Sequence, residues 1–243
     1  MATRIQLCGG LRTTIEGIAL ELRGHQSQRL FAYLVSHHLR TSSRQELIEA
    51  VWPDDPPRAV ESALSALLSK LRKMLGPGRL EGRHELRLVL PENAWIDAEA
   101  APAAIHRAEA AIGRCDWPDA WVAARIAQHI ALRPFLAGDS TPWIEERRRQ
   151  LEGIHLRSLE LAAQASLEIG ATEIATAERT ARTLVRLAPF RESGYRYLIQ
   201  ALRARDNRAE ALQVYDRLRC LLRDELGVSP SPATQQLHRN LLT

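Results

Sequence analysis

Between Ala59 and Gly76 the stretch AVESALSALLSKLRKMLG places Ser62, Ser65, Ser69, Lys70, Arg72 and Lys73 where a helix would gather them on one side. Hydroxyls and cations in that array donate to phosphate oxygens and to base edges. The small serines, with Ala66 among them, let a helix backbone come as close to a surface as a major groove about 12 Å wide demands. The opposite side is Val60, Ala63, Leu64, Leu67, Leu68, Leu71, Met74 and Leu75, an unbroken i, i+3, i+4, i+7 stripe that must be buried. A solvated helix also shows serines and cations, though it more often carries Glu–Lys pairs than neighbouring small residues. The helix alone leaves both readings open.

Other residues with chemical potential are weaker. His37 and His38 are adjacent, so they cannot face one ligand, and no Cys or other His stands at metal-ligand spacing. Asp54 and Asp55 lie beside prolines, as turn residues ahead of a helix N-terminus that favours negative charge. ERRRQ at Glu146–Gln150 is flanked by acids and reads as a salt-bridged solvent face. Nucleotide-cradling glycine patterns and the G-x-S-x-G nucleophile pattern are missing from the sequence. The expectation is a protein that is not an enzyme and uses no metal or cofactor.

These residues must be held by a scaffold, and the chain has material for one. Its 243 residues are 45% hydrophobic and 26% charged, enough for one large domain or two modest ones. The formal net charge is +4, with the excess in the first half: residues 1–95 carry 13 Lys/Arg against 10 Asp/Glu. A basic lean permits nucleic-acid binding without establishing it. Cys8, Cys115 and Cys220 lack C-x-x-C spacing and read as reduced thiols. No secretory signal or membrane-length apolar run is present, which places the protein in the cytoplasm with no membrane partner.

Short β-type runs, RIQLCGG and GIALEL, open the chain. A helix follows with Leu30, Phe31, Leu34, Val35 and Leu39 on one face, then a capping box formed by Ser43 and Glu46. After WPDDPPR and the serine-rich helix, RLEG and HELRLVL predict a basic hairpin. Helix, turn, second amphipathic helix and hairpin together make a winged helix-turn-helix, with Arg83 and Arg87 where a wing meets the duplex backbone.

Beyond a boundary at Asn93–Asp97 the pattern is helical. Ala211 and Tyr215 lie in AEALQVYDRL, and thirty-four residues earlier ATAERTARTLVRLAP supplies Ala177, Ala181 and Pro189. That is the tetratricopeptide period, since two antiparallel helices with their turns take about that length. Ala120, Ala124 and Pro134 form a third copy if about two turns are inserted near FLAGDSTPWIEERRRQL. The expected fold is mainly α with a small β component: a winged helix over 1–95 and a tetratricopeptide-like helical repeat over 96–243. At the far end Gly227 closes one helix, Ser231-Pro232 opens the last, and Leu237, Leu241 and Leu242 form its inner face.

LIEAVWPDDPP, ALLSKLRKMLG, WIEERRRQLEGIHLRSLELAAQ and AEALQVYDRLRCLLRDELGVSPSPATQQLHRNLL together resemble the antibiotic-regulatory-protein (SARP) type of transcription activators. The resemblance implies an OmpR-like winged helix followed by a bacterial transcriptional activation domain. It implies an activator that binds tandem direct repeats in double-stranded promoter DNA, two copies together, and recruits RNA polymerase. Its DNA contacts would fall on Ser62, Ser65, Ser69, Lys70 and Arg72, with Ser43, Arg44, Lys73, Arg83 and Arg87 around them. The loop carrying Trp52, Asp54, Asp55 and Arg58 would face the polymerase. The family's Gly-Tyr pair before the last hairpin strand is Glu85-Leu86 here, and Leu67 and Ser69 stand where several members carry basic residues; both bear on DNA affinity or preference. Larger members continue into NTPase or phosphopeptide-binding domains. The alternative is a helical-repeat adaptor whose winged helix has lost DNA. Whether Glu61 and Glu81 neutralise the recognition face discriminates the two.

Overall fold

The structure is a computed structural model that describes residues 2–242. It divides into two compact units: residues 1–100 with 130–151, and residues 101–129 with 152–243.

In the first unit, β1 (Arg4–Gln6), β2 (Arg12–Ile15) and β3 (Ile18–Leu20) form an antiparallel meander. β7 (Trp95–Ile96) joins β1 in parallel, giving the order β3-β2-β1-β7. The β2–β3 turn uses Glu16 and Gly17, both at positive φ. Next come α1 (His25–Ser36), β4 (Ser42–Ser43), α2 (Arg44–Val51) and α3 (Val60–Leu75). β5 (Leu80–Glu81) and β6 (Glu85–Leu88) are the hairpin, and β6 also pairs with β4. Leu30, Phe31, Leu34, Leu47, Leu64, Leu68, Leu86 and Leu88 are fully buried, so three helices and the hairpin close on one core. This is a winged helix-turn-helix. Leu39 departs from its expected face: it lies beyond the end of α1, where helical spacing no longer applies, and is 81% exposed.

Three helices carry residues in both units: α4 (Asp97–Gly113), α5 (Trp117–Ala131) and α6 (Pro142–Ile169). A division at residue 95 therefore describes the order along the chain but not the compact units, because Ile130–Leu151 folds with the first. The reason is a set of non-local bonds. Gly9 N donates to Pro134 O at 2.8 Å and Leu136 N to Leu7 O at 2.8 Å, extending the sheet past β1. Trp143 Nε1 donates to Ala50 O at 3.0 Å, and its ring meets Tyr33 and Phe135 edge-on. Arg29 grips Asp139 at 2.6 and 2.8 Å while also donating to Val51 O. Asp97, wholly buried, accepts from Leu7 N and Cys8 N. Burial pushes its carboxyl above the usual range, even against those two bonds. Burial, with Asp97 beside it, pushes the Cys8 thiol up to about 12.

The second unit is helical. Ala104, Ala108, Ala123, Ala124, Ala127 and Ala162 pack with Ile105 and Leu161, small residues that let α4, α5 and α6 approach closely. α7 (Ile174–Leu187), α8 (Glu192–Ala204) and α9 (Arg208–Leu226) stack in succession. Gly194 allows the α7–α8 approach, since a Cβ there would lie 3.1 Å from Leu184 Cγ. Ala177, Ala181 and Ala211 are fully buried and Tyr215 nearly so, and α7 and α9 start thirty-four residues apart. Ala120 and Ala177 are fifty-seven apart, an excess of twenty-three over the repeat. Ile130–Leu151 accounts for twenty-two of those, an insertion far longer than two turns.

Gly227 ends α9 in the left-handed conformation, its N–H bonding Arg223 O, and α10 (Pro232–Leu242) follows. Leu241 is buried and Leu237 half-buried against the α8–α9 core, while Tyr215 and His238 stack at 3.9 Å. Leu242 is 59% exposed, on the last turn and off the inner face. Ser231 and Thr234 at the start of α10 donate three side-chain and backbone bonds of 2.6–3.0 Å to Glu192 Oε2.

Candidate nucleic-acid interface

The helix that carries the serines forms because its leucine stripe has a core to enter. Leu64, Leu68, Leu71 and Leu75 are buried, and Val60, Ala63, Leu67 and Met74 are half-buried at the margins. α3 is thereby fixed with its other face outward. Ser62, Ser65, Ala66, Ser69, Lys70 and Lys73 are all exposed. Before it, α2 is set by the capping box: Ser43 Oγ accepts from Glu46 N at 3.2 Å and Glu46 Oε2 from Ser43 N at 2.7 Å. The Ser43 backbone bond leads the causes that hold the Glu46 carboxyl below the usual range.

The candidates divide by what their polar atoms already do. The Ser43 hydroxyl is committed to its cap, so that residue positions α2 and is not a free donor. Arg44 reaches across to α3, with Nε on Glu61 Oε2 at 2.8 Å and Nη2 on Ser65 Oγ at 2.9 Å. It fastens the two helices, and Glu61 offsets its charge. Arg72 is half-buried; Nη2 donates to Gly82 O at 2.6 Å and Nε to Leu80 O at 3.4 Å, tying the end of α3 to the hairpin. Among the described residues Lys70 makes only a long bond, to Arg23 O at 3.4 Å. Lys73, Arg83 and Arg87 are exposed with no carboxylate partner among the described residues.

Gly82 shapes the hairpin turn. Its φ is +84°, and a Cβ there would fall 1.8 Å from Glu85 O, so no other residue fits. Arg83 is thus held at the tip and Arg87 on β6. Leu86, in place of the family's aromatic residue, is completely buried. Glu81 and Glu85 are the exposed acids of the hairpin.

The loop after α2 holds one correction. Trp52 is 8% exposed and its N–H continues the helix to Ile48 O, so it belongs to the core and offers a partner nothing. The indole is too large and apolar to stay in water beside a core it can enter. Pro53 to Arg58 are exposed, Asp54, Asp55 and Arg58 included. The ERRRQ stretch also differs from a uniformly solvated face. Glu146 and Arg149 do form an exposed pair at 2.6 Å, but Arg148 turns inward onto the carbonyls of Phe135, Leu136 and Asp139. Groups of three or more His, Cys, Asp or Glu able to hold a metal are absent among the described residues. No helix among them is long and apolar enough to cross a membrane.

Residues 96–242 match the family described as "Bacterial transcriptional activator domain", and residues 20–85 match "Transcriptional regulatory protein, C terminal". The regulatory protein AfsR of Streptomyces coelicolor is 34% identical over 99% of this chain, which covers 24% of AfsR. The transcriptional regulatory protein EmbR of Mycobacterium tuberculosis is 27% identical over 97% of the chain, covering 62% of EmbR. A solved structure of that EmbR in complex with a low affinity phosphopeptide superposes with a TM-score of 0.82 at 25% identity, covering 99% of this chain and 65% of that one. The chain thus spans about a quarter of AfsR and less than two thirds of EmbR. With a winged helix ahead of a matched activator domain, in that order, the chain belongs to the bacterial transcriptional activator domain family and is of the SARP type.

Proposed function

We propose that this chain is a sequence-specific DNA-binding transcription regulator, an activator that inserts α3 into the major groove of promoter DNA. The observation that carries the reading is the outer face of α3: exposed Ser62, Ser65, Ala66 and Ser69, with exposed Lys73 near its end and exposed Arg83 and Arg87 on the following hairpin, none of the three with a carboxylate partner among the described residues. Of the acids that could cancel this face, Glu61 is spent on Arg44, and Glu81 and Glu85 of the hairpin stand against the exposed cations Lys70, Lys73, Arg83 and Arg87. That balance favours a DNA-binding face over an adaptor with a neutralised one. Phosphate contacts come from Lys73, Arg83 and Arg87, and base contacts from the serines and Lys70.

Activation is assigned to the loop. Asp54 and Asp55 repel phosphate and are exposed, so they suit a protein partner, RNA polymerase, with Arg58 alongside. Two copies bind a direct repeat. The test is genome-wide mapping of bound DNA followed by footprinting of the strongest site, which should show two protected half-sites about one helical turn apart. Replacing Asp54 and Asp55 with Ala should lower transcription in vitro while promoter binding stays within about twofold. A matched loss of binding would make the loop a structural element.

A further inference from the structure

On α5, Trp121, Arg125 and Gln128 recur at i, i+4 and i+7; on α7, Thr176, Arg179 and Thr183 recur at i, i+3 and i+7. Each set is therefore one helix face. The two faces line an open groove of about 290 Å³ within the helical unit, with no carboxylate in its lining. That volume is close to the lower end for small-ligand sites, about 300 Å³.

The two guanidiniums are held in place without being neutralised. Arg125 Nη1 donates to Gln128 Oε1 at 2.5 Å, and its guanidinium lies 5.8 Å from the centre of the Trp121 ring. Arg179 Nη2 donates to Thr176 Oγ1 at 3.0 Å. Neither has a carboxylate partner among the described residues. The contrast with the same helix is sharp: Arg182, three residues on, holds Glu178 and Glu210. Groove groups have donors to spare and few acceptors. Gln128 keeps its amide N–H groups, Thr176 keeps its hydroxyl proton, and each guanidinium has five N–H donors to begin with. Trp121 Nε1 is buried and has no acceptor among the described residues.

We propose that this groove is a binding site for a phosphomonoester. A carboxylate would balance one arginine, whereas a phosphomonoester carries about −1.5 to −2 at pH 7 and offers three terminal oxygens to donors arriving from both helices. The same group can be presented by a small metabolite or by a phosphorylated side chain. The site is separate from α3 and the hairpin, and its existence does not depend on DNA binding.

The experiment is calorimetric titration of the full chain at low ionic strength with phenyl phosphate, with an acetylated phosphothreonine tripeptide as the second arm. Binding of one equivalent is expected. Arg125→Gln and Arg179→Gln should each weaken it by at least about tenfold. Both side chains are exposed, so melting temperature should hold and report that the variants are folded. Arg186→Gln, an exposed arginine of α7 outside the groove, and Lys73→Ala on α3 should change affinity by less than about twofold. Preference for phenyl phosphate points to a metabolite, and preference for the tripeptide to a phosphoprotein. No binding up to about 10 mM, equal losses in Arg186→Gln, or benzoate binding as tightly as phenyl phosphate would each overturn the proposal.

Discussion

On α7 and α9, Arg182 holds both Glu178 and Glu210, and Arg205 holds the other oxygen of Glu178. On α3 and the hairpin, Lys73, Arg83 and Arg87 are exposed with no carboxylate partner among the described residues, and Arg72 spends itself on backbone carbonyls. Both regions are rich in cations, and only the pairing separates them. Around Glu178 the charge of Arg182 and Arg205 is consumed inside the fold, where exposed pairs are worth about 1 kcal/mol or less. On the edge of α3 and the hairpin it stays unpaired, and under the proposed DNA binding each phosphate neutralised there would also release counterions. Changes to the paired cations and the buried contacts of the helical unit should then move stability and spare DNA binding, and changes to the unpaired cations of α3 and the hairpin the reverse.

The largest effect should come from the end of the helical unit. Ending the chain after Gly227 removes Leu241 and Leu237 from the α8–α9 core, uncovers Tyr215, and leaves Glu192 without its donors. Losing a buried Leu alone costs about 2–5 kcal/mol, so urea unfolding should show a loss of at least about 4 kcal/mol. Equal stability of the two chains would mean that α10 is not a cap. Glu192→Gln should cost less, about 1–2 kcal/mol. Burial pushes the Glu192 carboxyl up, but the bonds from Thr234 and Ser231 outweigh it and hold it below the usual range. A depressed folded-state value means that its contribution is present above the ordinary carboxylate range and is lost as pH falls through the folded value. The gap between the two proteins should therefore close in acid, and a gap that persists there would locate the defect in shape, not charge.

Next in size are the unpaired cations of α3 and the wing. Lys73→Ala and Arg87→Ala should each weaken promoter binding about threefold to tenfold and lower the slope of log affinity against log salt by about one. Thermal stability should not change. Arg182→Ala, the matched change on α7, should leave affinity and slope alone. If Arg182→Ala weakened binding as much as Lys73→Ala, pairing would not be what separates the two regions.

How much of this was legible depends on how far each side chain reaches. The α3 stripe, the Ser43–Glu46 box and the Gly227 terminus are local patterns, and each rests on bonds within one helix turn. Leu39 and Leu242 failed because periodicity was extended to a helix end or past it. Trp52 departs because the resemblance assigns the whole loop to one outward role, whereas the indole itself turns inward. Arg44 and Arg72 were read by their place on a helix, but a guanidinium about 6 Å from its backbone chooses partners that spacing does not encode. The polar strand Arg12–Ile15 has too little hydrophobic alternation to stand out. Ile130–Leu151 pairs with residues more than ninety positions away, beyond any local signal.

Arg72 gives the finest test of the comparison, because it is a cation near the proposed DNA-binding face whose donors are already occupied. Its bond to Gly82 O fixes the turn whose positive φ no other residue can adopt, and that turn carries Arg83. Arg72→Lys keeps the charge and loses the planar fork, so the two roles separate. A residue that only touches phosphate should tolerate lysine; one that anchors the hairpin should not. The expected loss is small, about twofold to threefold in affinity, because a single neutral-acceptor bond is at stake. A double-mutant cycle decides its origin. If Arg72 acts by placing the wing, Arg72→Lys should cost nothing further once Arg83 and Arg87 are alanine. Losses that add in that background would put Arg72 back among the residues that touch DNA directly.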